Sequence, residues 1–333
     1  GPDNLVTIVK MSVQARTFPL AAPFSITGYT FRELNCVWVT LEHEGLCGRG
    51  EGTGSYYLGE TPSSLIASIE SIRTRVEAGI TREELSTVLP IGGARNALDC
   101  ALWDLECKQT GSSIWQLVGV VPHELTTVAT LGIDTPEAMA AKAREWADFP
   151  ALKIKLDNEL VLERISAIRE VRPHATLVID VNQGWTMEEL VTYTPGLAEL
   201  GVSFIEQPLP RGHDEPLIGY QSPVSLGGDE SCLGLEDYER VKDRYDVINI
   251  KLDKCGGLTE ALAIAHRATL DGLEVMVGNM TGTSLSMAPS YVVGQLCSVV
   301  DIDGPLLLEK DIPDGLEYMS GARVSMPTPA LWG

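Results

Sequence analysis

The sequence predicts an α/β fold, a parallel barrel preceded by an α+β region. Three observations carry this. From about residue 126, short β-branched runs alternate with amphipathic stretches at a spacing of about 20–27 residues, the beat of βα units. The first 120 or so residues lack that beat. Four runs also end in charged side chains, at Lys153 and Lys155, Asp180, Glu206, and Lys251, and a fifth ends in Asp229-Glu230. In a parallel barrel these C-terminal ends meet at one mouth. Lys, Asp and Glu are seldom buried without a partner or a metal.

The eight runs cover 126–133, 151–156, 177–182, 202–208, 224–230, 247–254, 274–280 and 299–307. Apolar spacing predicts helices over 160–169 and 258–265. The Pro- and Gly-rich link before the fifth run leaves room only for a small helix. Ahead of the barrel, 6–18 and 35–41 read as antiparallel strands and 62–78 and 93–108 as helices. The stretch 50–57, rich in Gly and Tyr, reads as a loop. The tail after about residue 308 is too poor in runs to form a domain and is expected to pack on the N-terminal region. The expected organisation is a cap over 1–120, completed by 308–333, and a barrel over 121–307.

A formal net charge of −21 disfavours nucleic acid and anionic membrane as partners. No apolar run is long enough to span a bilayer. The seven cysteines are scattered and form no CxxC pair, which suits reduced thiols and a cytoplasmic setting. No signal-peptide pattern is visible, and Gly1-Pro2 has the form of a tag-cleavage remnant. The expected partner is a small molecule, and the chain is compatible with a homo-oligomer.

Lys153 and Lys155 lie two apart on a strand and therefore face the same side. Neighbouring ammonium groups, and a nearby divalent cation, would lower their pKa toward that of a working base. Asp180, Glu206 and Asp229 come from three successive strand ends. Three crowded carboxylates without His or Cys suit Mg²⁺, with Mn²⁺ as an alternative. Lys251 on the next strand approaches from across the mouth, and Lys254 is a rival that follows Asp253 in a Gly-rich loop. One base on each face of a carbon inverts a stereocentre. Asp301 and Asp303 share a strand face on the last run. They serve either to hold a substrate ammonium or as part of a strand-end turn.

Together these motifs resemble the enolase superfamily and, within its muconate-lactonising subgroup, the dipeptide epimerases. The resemblance runs over nearly the whole chain, through Lys-x-Lys, the Asp, Glu-Gln-Pro and Asp-Glu-Ser stations and Asn-Ile-Lys-Leu. It implies a (β/α)₇β TIM-like barrel with an α+β capping domain. It also implies Lys155 and Lys251 as the acid/base pair, Asp180, Glu206 and Asp229 as Mg²⁺ ligands, and Asp301 and Asp303 as the site for a dipeptide α-ammonium. The implied reaction is epimerisation of the C-terminal residue through an enediolate. Lys153 and the cap-loop residues Phe24, Ile26, Gly28 and Tyr29 are the further substrate-binding candidates. Gly28 stands where glutamate-specific members carry an arginine, and Arg32 follows nearby. Alternatives are an o-succinylbenzoate synthase, an N-acylamino acid racemase or a non-catalytic ligand-binding barrel.

Overall fold

The computed structural model describes residues 6–333; Gly1-Pro2 lies outside the described residues. The cap begins with an antiparallel sheet of β1 (Lys10–Ile26), β2 (Tyr29–His43) and β3 (Leu46–Gly52), in that order. The β1–β2 register shifts between Pro19 and Phe24, where Pro19 has no N–H to give the ladder. Val37, Val39 and Leu41 face Leu65, Ile69 and Leu98 to make the cap core.

Two cap elements differ from expectation. The first part of the expected loop 50–57 belongs to β3. Gly48, Gly50 and Gly52 alternate along that strand and face helix Gly93–Thr110, where a Cβ would collide with the carbonyl oxygens of Ala101, Ala97 and Gly93. Glycine here permits close backbone approach, so the strand carries no hydrophobic signature. The expected helix 62–78 is two helices, Pro62–Glu70 and Arg73–Glu77, because Ile72 leaves helical geometry (φ −117, ψ 14).

The barrel follows β4 (Leu125–Thr126). Its strands are β5 (Ala129–Leu131), β6 (Ala151–Lys155), β7 (Thr176–Asp180), β8 (Val202–Glu206), β9 (Ser225–Gly228), β10 (Val247–Ile250), β11 (Glu274–Val277) and β12 (Val299–Val300). These eight pair in chain order, all parallel. Val128 N–H donates to Val300 O at 3.0 Å and joins the first strand to the last. The expected run 126–133 is therefore split, and β4 pairs instead with β13 (Arg323–Val324) of the tail. The run 299–307 is strand for two residues and then turns into helix Gly304–Leu307. Between β8 and β9 only a 3₁₀ turn, Glu215–Leu217, forms.

Strand alternation places the site. On β7, Leu177 and Ile179 point to the surrounding helices, while Val178 points inward and packs with Phe204, Val247 and Met276. That apolar layer floors the barrel. Asp180 is two residues on from Val178, on the same face, at the mouth. The tail returns to the cap: Glu309 N–H donates to Pro19 O (2.9 Å) and Trp332 Nε1 to Cys100 O (2.9 Å). Among the described residues the cysteines are free, and no helix is long and apolar enough to cross a membrane.

Candidate active site

Register aligns the charged mouth. Lys155 pairs with Asp180, Asp180 with Glu206, and Glu206 with Gly227, two residues before Asp229. Lys155, Asp180 and Glu206 thus form one row of last strand residues. Oxygen atoms of Asp180, Glu206 and Asp229 all lie within 4.8 Å of one another, and all three residues are buried.

The strand sequence places the other groups. Lys155 ends the second strand of eight and Lys251 follows the sixth, so they stand across the barrel from each other. The three acids occupy stations three to five between them. Asp301 and Asp303 follow the eighth strand, opposite Glu206 on the fourth. One cavity is lined by Lys153, Lys155, Asp229, Lys251, Asp301 and Asp303.

The lysines hold the acids. Lys155 Nζ donates to Asp180 Oδ2 (2.6 Å) and Asn182 Oδ1 (3.1 Å). Lys251 Nζ donates to Asp229 Oδ2 (2.7 Å). Lys153 Nζ sits 3.0 Å from Glu206, 3.3 Å from Asp301 and 3.5 Å from Asp180. Lys254 Nζ bonds Asp229 Oδ1 (2.8 Å) and Asn249 O (2.8 Å) and does not line the cavity.

This charge set fits a divalent cation. Six buried carboxylates (Asp180, Glu206, Asp229, Glu230, Asp301, Asp303) face four buried lysines. Fully ionised, the cluster has two excess negative charges. Burial and the neighbouring acids accordingly push Glu206, Glu230 and Asp303 above the ordinary carboxylate range. Glu206 Oε2 lies within ion-pair range of Lys153 but lacks hydrogen-bond geometry, and Glu230 Oε1 is also unbonded. All-oxygen donors with unsatisfied atoms suit Mg²⁺.

The acids dominate the electrostatics of Lys153 and Lys251. Burial would lower Lys153 and Lys251, but the surrounding acids reverse this and hold both above the usual lysine value. The ammonium-on-ammonium effect is outweighed because carboxylates outnumber amines.

Asp301 Oδ1 and Asp303 Oδ2 are buried without partners, although Lys153 already holds the other Asp301 oxygen. Phe24 and Ile26 line the cavity with Phe31, Tyr56, Met280 and Leu307. Gly28 sits at the β1–β2 turn (φ 73) with open space around it. Tyr29 stacks on Phe31 (4.4 Å) and Tyr56 (5.1 Å) and lines an adjoining cleft together with Arg32.

Sequence reasoning missed several polar groups. Asn249 donates to Glu206, Asn182 takes part of Lys155, and Asn279 Nδ2 donates to Asp301 O (2.9 Å). Asn182 and Asn249 each lie two residues from a charged residue already singled out, so period-two spacing was the available signal. Gln207 Oε1 accepts from Asp229 N–H (2.9 Å) and Ser231 N–H (3.0 Å) and so shapes the third acid's loop. Asn182 (φ 47), Gln207 (φ 42) and Thr281 (φ 69) all hold left-handed backbone at this mouth, as functional sites often do.

The N-terminal domain family of mandelate racemase / muconate lactonizing enzyme matches residues 8–119, and the enolase C-terminal domain-like family matches 138–327. The chain belongs to the mandelate racemase / muconate lactonizing enzyme family. It is 42% identical over 314 residues to the L-Ala-D/L-Glu epimerase of Escherichia coli K12, covering 93% of this chain and 98% of that one. A crystal structure of an Agrobacterium tumefaciens enolase family member with homology to dipeptide epimerases, with sodium and L-Ala-L-Glu bound, superposes with TM-score 0.94. It is 42% identical and the likeness covers 98% of this chain and all of that one. The Enterococcus faecalis dipeptide epimerase, complexed with Mg and L-Leu-L-Tyr, gives TM-score 0.89 at 30% identity over 96% of this chain and 97% of that one.

Proposed function

We propose that this family member is a Mg²⁺-dependent dipeptide epimerase, an isomerase that inverts the α-carbon of the C-terminal residue by 1,1-proton transfer. The observation that carries this is Lys155 and Lys251 facing each other from strands two and six across one cavity. The relatives that act on or hold dipeptides support the substrate class.

Lys155 and Lys251 form the acid/base pair. A neutral amine on one side takes the α-proton, and the ammonium on the other returns one to the opposite face. The two lysines exchange protonation states with each turnover. Asp180, Glu206 and Asp229 hold Mg²⁺, with Mn²⁺ as the alternative. When bound, the cation would supply positive charge that lowers the cost of removing the α-proton. Lys153 adds a fixed ammonium among the same acids. Asp301 and Asp303 hold the dipeptide's N-terminal ammonium through their unpaired oxygens, opposite the metal acids.

Phe24 and Ile26 wall the side chain of the C-terminal residue, and the Gly28–Tyr29 turn closes the cap edge. Among the described residues no cation other than the three site lysines lines the cavity, so uncharged or cationic C-terminal residues are accepted at least as well as glutamate. The cap over 1–120 with 308–333 and the barrel over 121–307 are the two units, supported by the hydrogen bonds of Glu309 and Trp332 to the cap. The test is incubation with L-Ala-L-Xaa dipeptides and Mg²⁺ in D₂O. One deuterium at the C-terminal α-carbon, with the L,D isomer appearing, is expected. No uptake into any dipeptide would favour a binding barrel.

A further inference from the structure

Asp214, in the link between β8 and β9, is buried but does not line the catalytic cavity. A buried carboxylate calls for a physical cause. Its Oδ1 accepts from Arg244 Nη1 (2.6 Å), and its Oδ2 accepts from Ser231 Oγ (2.6 Å) and from Tyr245 Oη. Burial alone would raise the Asp214 pKa, but these three hydrogen bonds bring it below the ordinary aspartate value. The side chain is therefore an anion at neutral pH, and an ionised carboxylate can only accept. Both hydroxyl protons point at Asp214, so Ser231 and Tyr245 can turn only lone pairs toward their other neighbours.

Those lone pairs meet Gln207. Its Nε2 donates to Leu209 O (2.7 Å), to Ser231 Oγ (2.9 Å) and, at longer range, to Tyr245 Oη (3.4 Å). With the NH₂ end committed, the carbonyl end faces the other way. There Oε1 accepts Asp229 N–H (2.9 Å) and Ser231 N–H (3.0 Å). Gln207 directly follows Glu206, and its own N–H donates to Gly227 O (2.8 Å). One buried amide therefore ties the strand of the second acid to the loop of the third. Reversing that amide would set its NH₂ against two buried N–H groups and leave both without an acceptor.

We propose that Asp214 is a positioning residue for the metal site: by directing the hydroxyl protons of Ser231 and Tyr245 it fixes the Gln207 amide, and through that amide the backbone of Asp229. This rests on the reading of Asp180, Glu206 and Asp229 as metal ligands. The lysines hold the carboxylate of Asp229, whereas Asp214 acts on its main chain. Asparagine at 214 keeps the shape but makes one end a donor. Whichever way it turns, its NH₂ either meets Arg244 or drives the two hydroxyl protons toward Gln207 Nε2.

The experiment is calorimetric titration of the full chain with Mg²⁺ alone, beside thermal unfolding. D214N should weaken the Mg²⁺ Kd at least about tenfold, as the loss of an outer partner of a ligand does. S231A, which keeps Asp214 and removes its link to Gln207, should weaken it to a similar extent. The double variant D214N/S231A should bind no worse than the weaker single variant, because both changes cut the same path. S231A removes a single oxygen, so it reports even if D214N does not fold. I168A, in the core face of helix Val161–Val171, should lower Tm by opening a cavity. Its Mg²⁺ Kd should stay within about twofold of wild type, as for distant independent sites. A wild-type Kd for S231A or for folded D214N, or losses that multiply in the double variant, overturns the inference. So does a loss of Mg²⁺ affinity in I168A equal to that in D214N, which would make the effect one of stability. If wild type binds Mg²⁺ and both network variants bind it equally well, the inference alone fails. If wild type binds no Mg²⁺, the metal reading fails and takes the inference with it.

Discussion

Lys251 and Asp229 form a buried ion pair, Nζ to Oδ2 at 2.7 Å, and the second oxygen of the same carboxylate lies 2.8 Å from Lys254. Burial alone would raise the pKa of Asp229, but Lys251, Lys254 and Lys153 together bring it well below the ordinary carboxylate range. Asp229 therefore stays ionised at neutral pH, as a proposed metal ligand must. Lys254 is its structural partner, and Lys251 is the amine that faces the cavity.

Metal removal should stop the reaction. Exhaustive chelation is expected to abolish α-deuterium exchange, and Mg²⁺ to restore it. Asp229→Asn should lower Mg²⁺ affinity by at least about 100-fold, since even changes around a ligand cost 10–100-fold. The same change leaves two buried ammonium groups undercompensated, so some loss of stability should accompany it. Titration calorimetry reads the first effect and thermal unfolding the second. Exchange that survives chelation would contradict the assignment.

The joint between cap and barrel should be more stable in mild acid. Three buried carboxylates bridge it. Glu51 accepts from Thr283, Asp99 from Thr259, and Asp253 from Thr53 and Gly54. Burial raises Glu51 from 4.5 to about 7 and the two aspartates from 3.8 to about 6. Within that window the folded chain keeps protons that the unfolded chain has lost, so stability falls as pH rises. Gln at position 51 does not titrate. The Tm advantage of wild type over Glu51→Gln should shrink between about pH 5 and pH 8. A gap that is constant with pH would show that Glu51 does not titrate in this range.

N-acetylation of the dipeptide should be damaging. It removes the ammonium that Asp301 and Asp303 are proposed to hold and leaves their buried oxygens unpaired. A fall of at least about tenfold in kcat/KM is expected. Equal rates for free and acetylated ligands would favour the N-acylamino acid racemase alternative.

The charged mouth was legible because charge inside an apolar run has few innocent explanations. Lys153, Lys155, Asp180 and Glu206 all lie within β6, β7 or β8, and strand alternation carries each to the interior. The barrel's beat was legible for the same reason. What escaped the sequence was structure built on small or polar residues. β3 presents Gly48, Gly50 and Gly52 to a helix, and a face of glycines has no hydrophobic period. β12 is two residues long because Asp301 and Asp303 turn out at the mouth, whereas the apolar run simply continued. Asn249 and Gln207 act through partners distant in the chain, and one sequence offers no pairing information for them.

Side-chain choice follows the cavity wall. A glutamate side chain set against Phe24, Ile26 and Phe31 would bury a carboxylate among apolar groups. The expected kcat/KM values for L-Ala-L-Leu, L-Ala-L-Phe and L-Ala-L-Lys are at least equal to that for L-Ala-L-Glu. Arg32 lines the adjoining cleft with Glu33 and Glu60, so Arg32→Ala should leave that ratio unchanged. A strong preference for glutamate that Arg32→Ala abolishes would show Arg32 reaching the ligand.

The most direct measurement is stereospecific proton exchange in single-lysine variants. Lys155→Ala and Lys251→Ala, each loaded with Mg²⁺, are incubated separately with the L,L and L,D isomers of one dipeptide in D₂O. Net epimerisation should be lost in both. Each variant should still exchange the α-proton of one isomer, and the two should retain opposite isomers, as bases on opposite faces require. Loss of exchange with the same isomer in both variants, or wild-type epimerisation by Lys251→Ala, would contradict the two-base account.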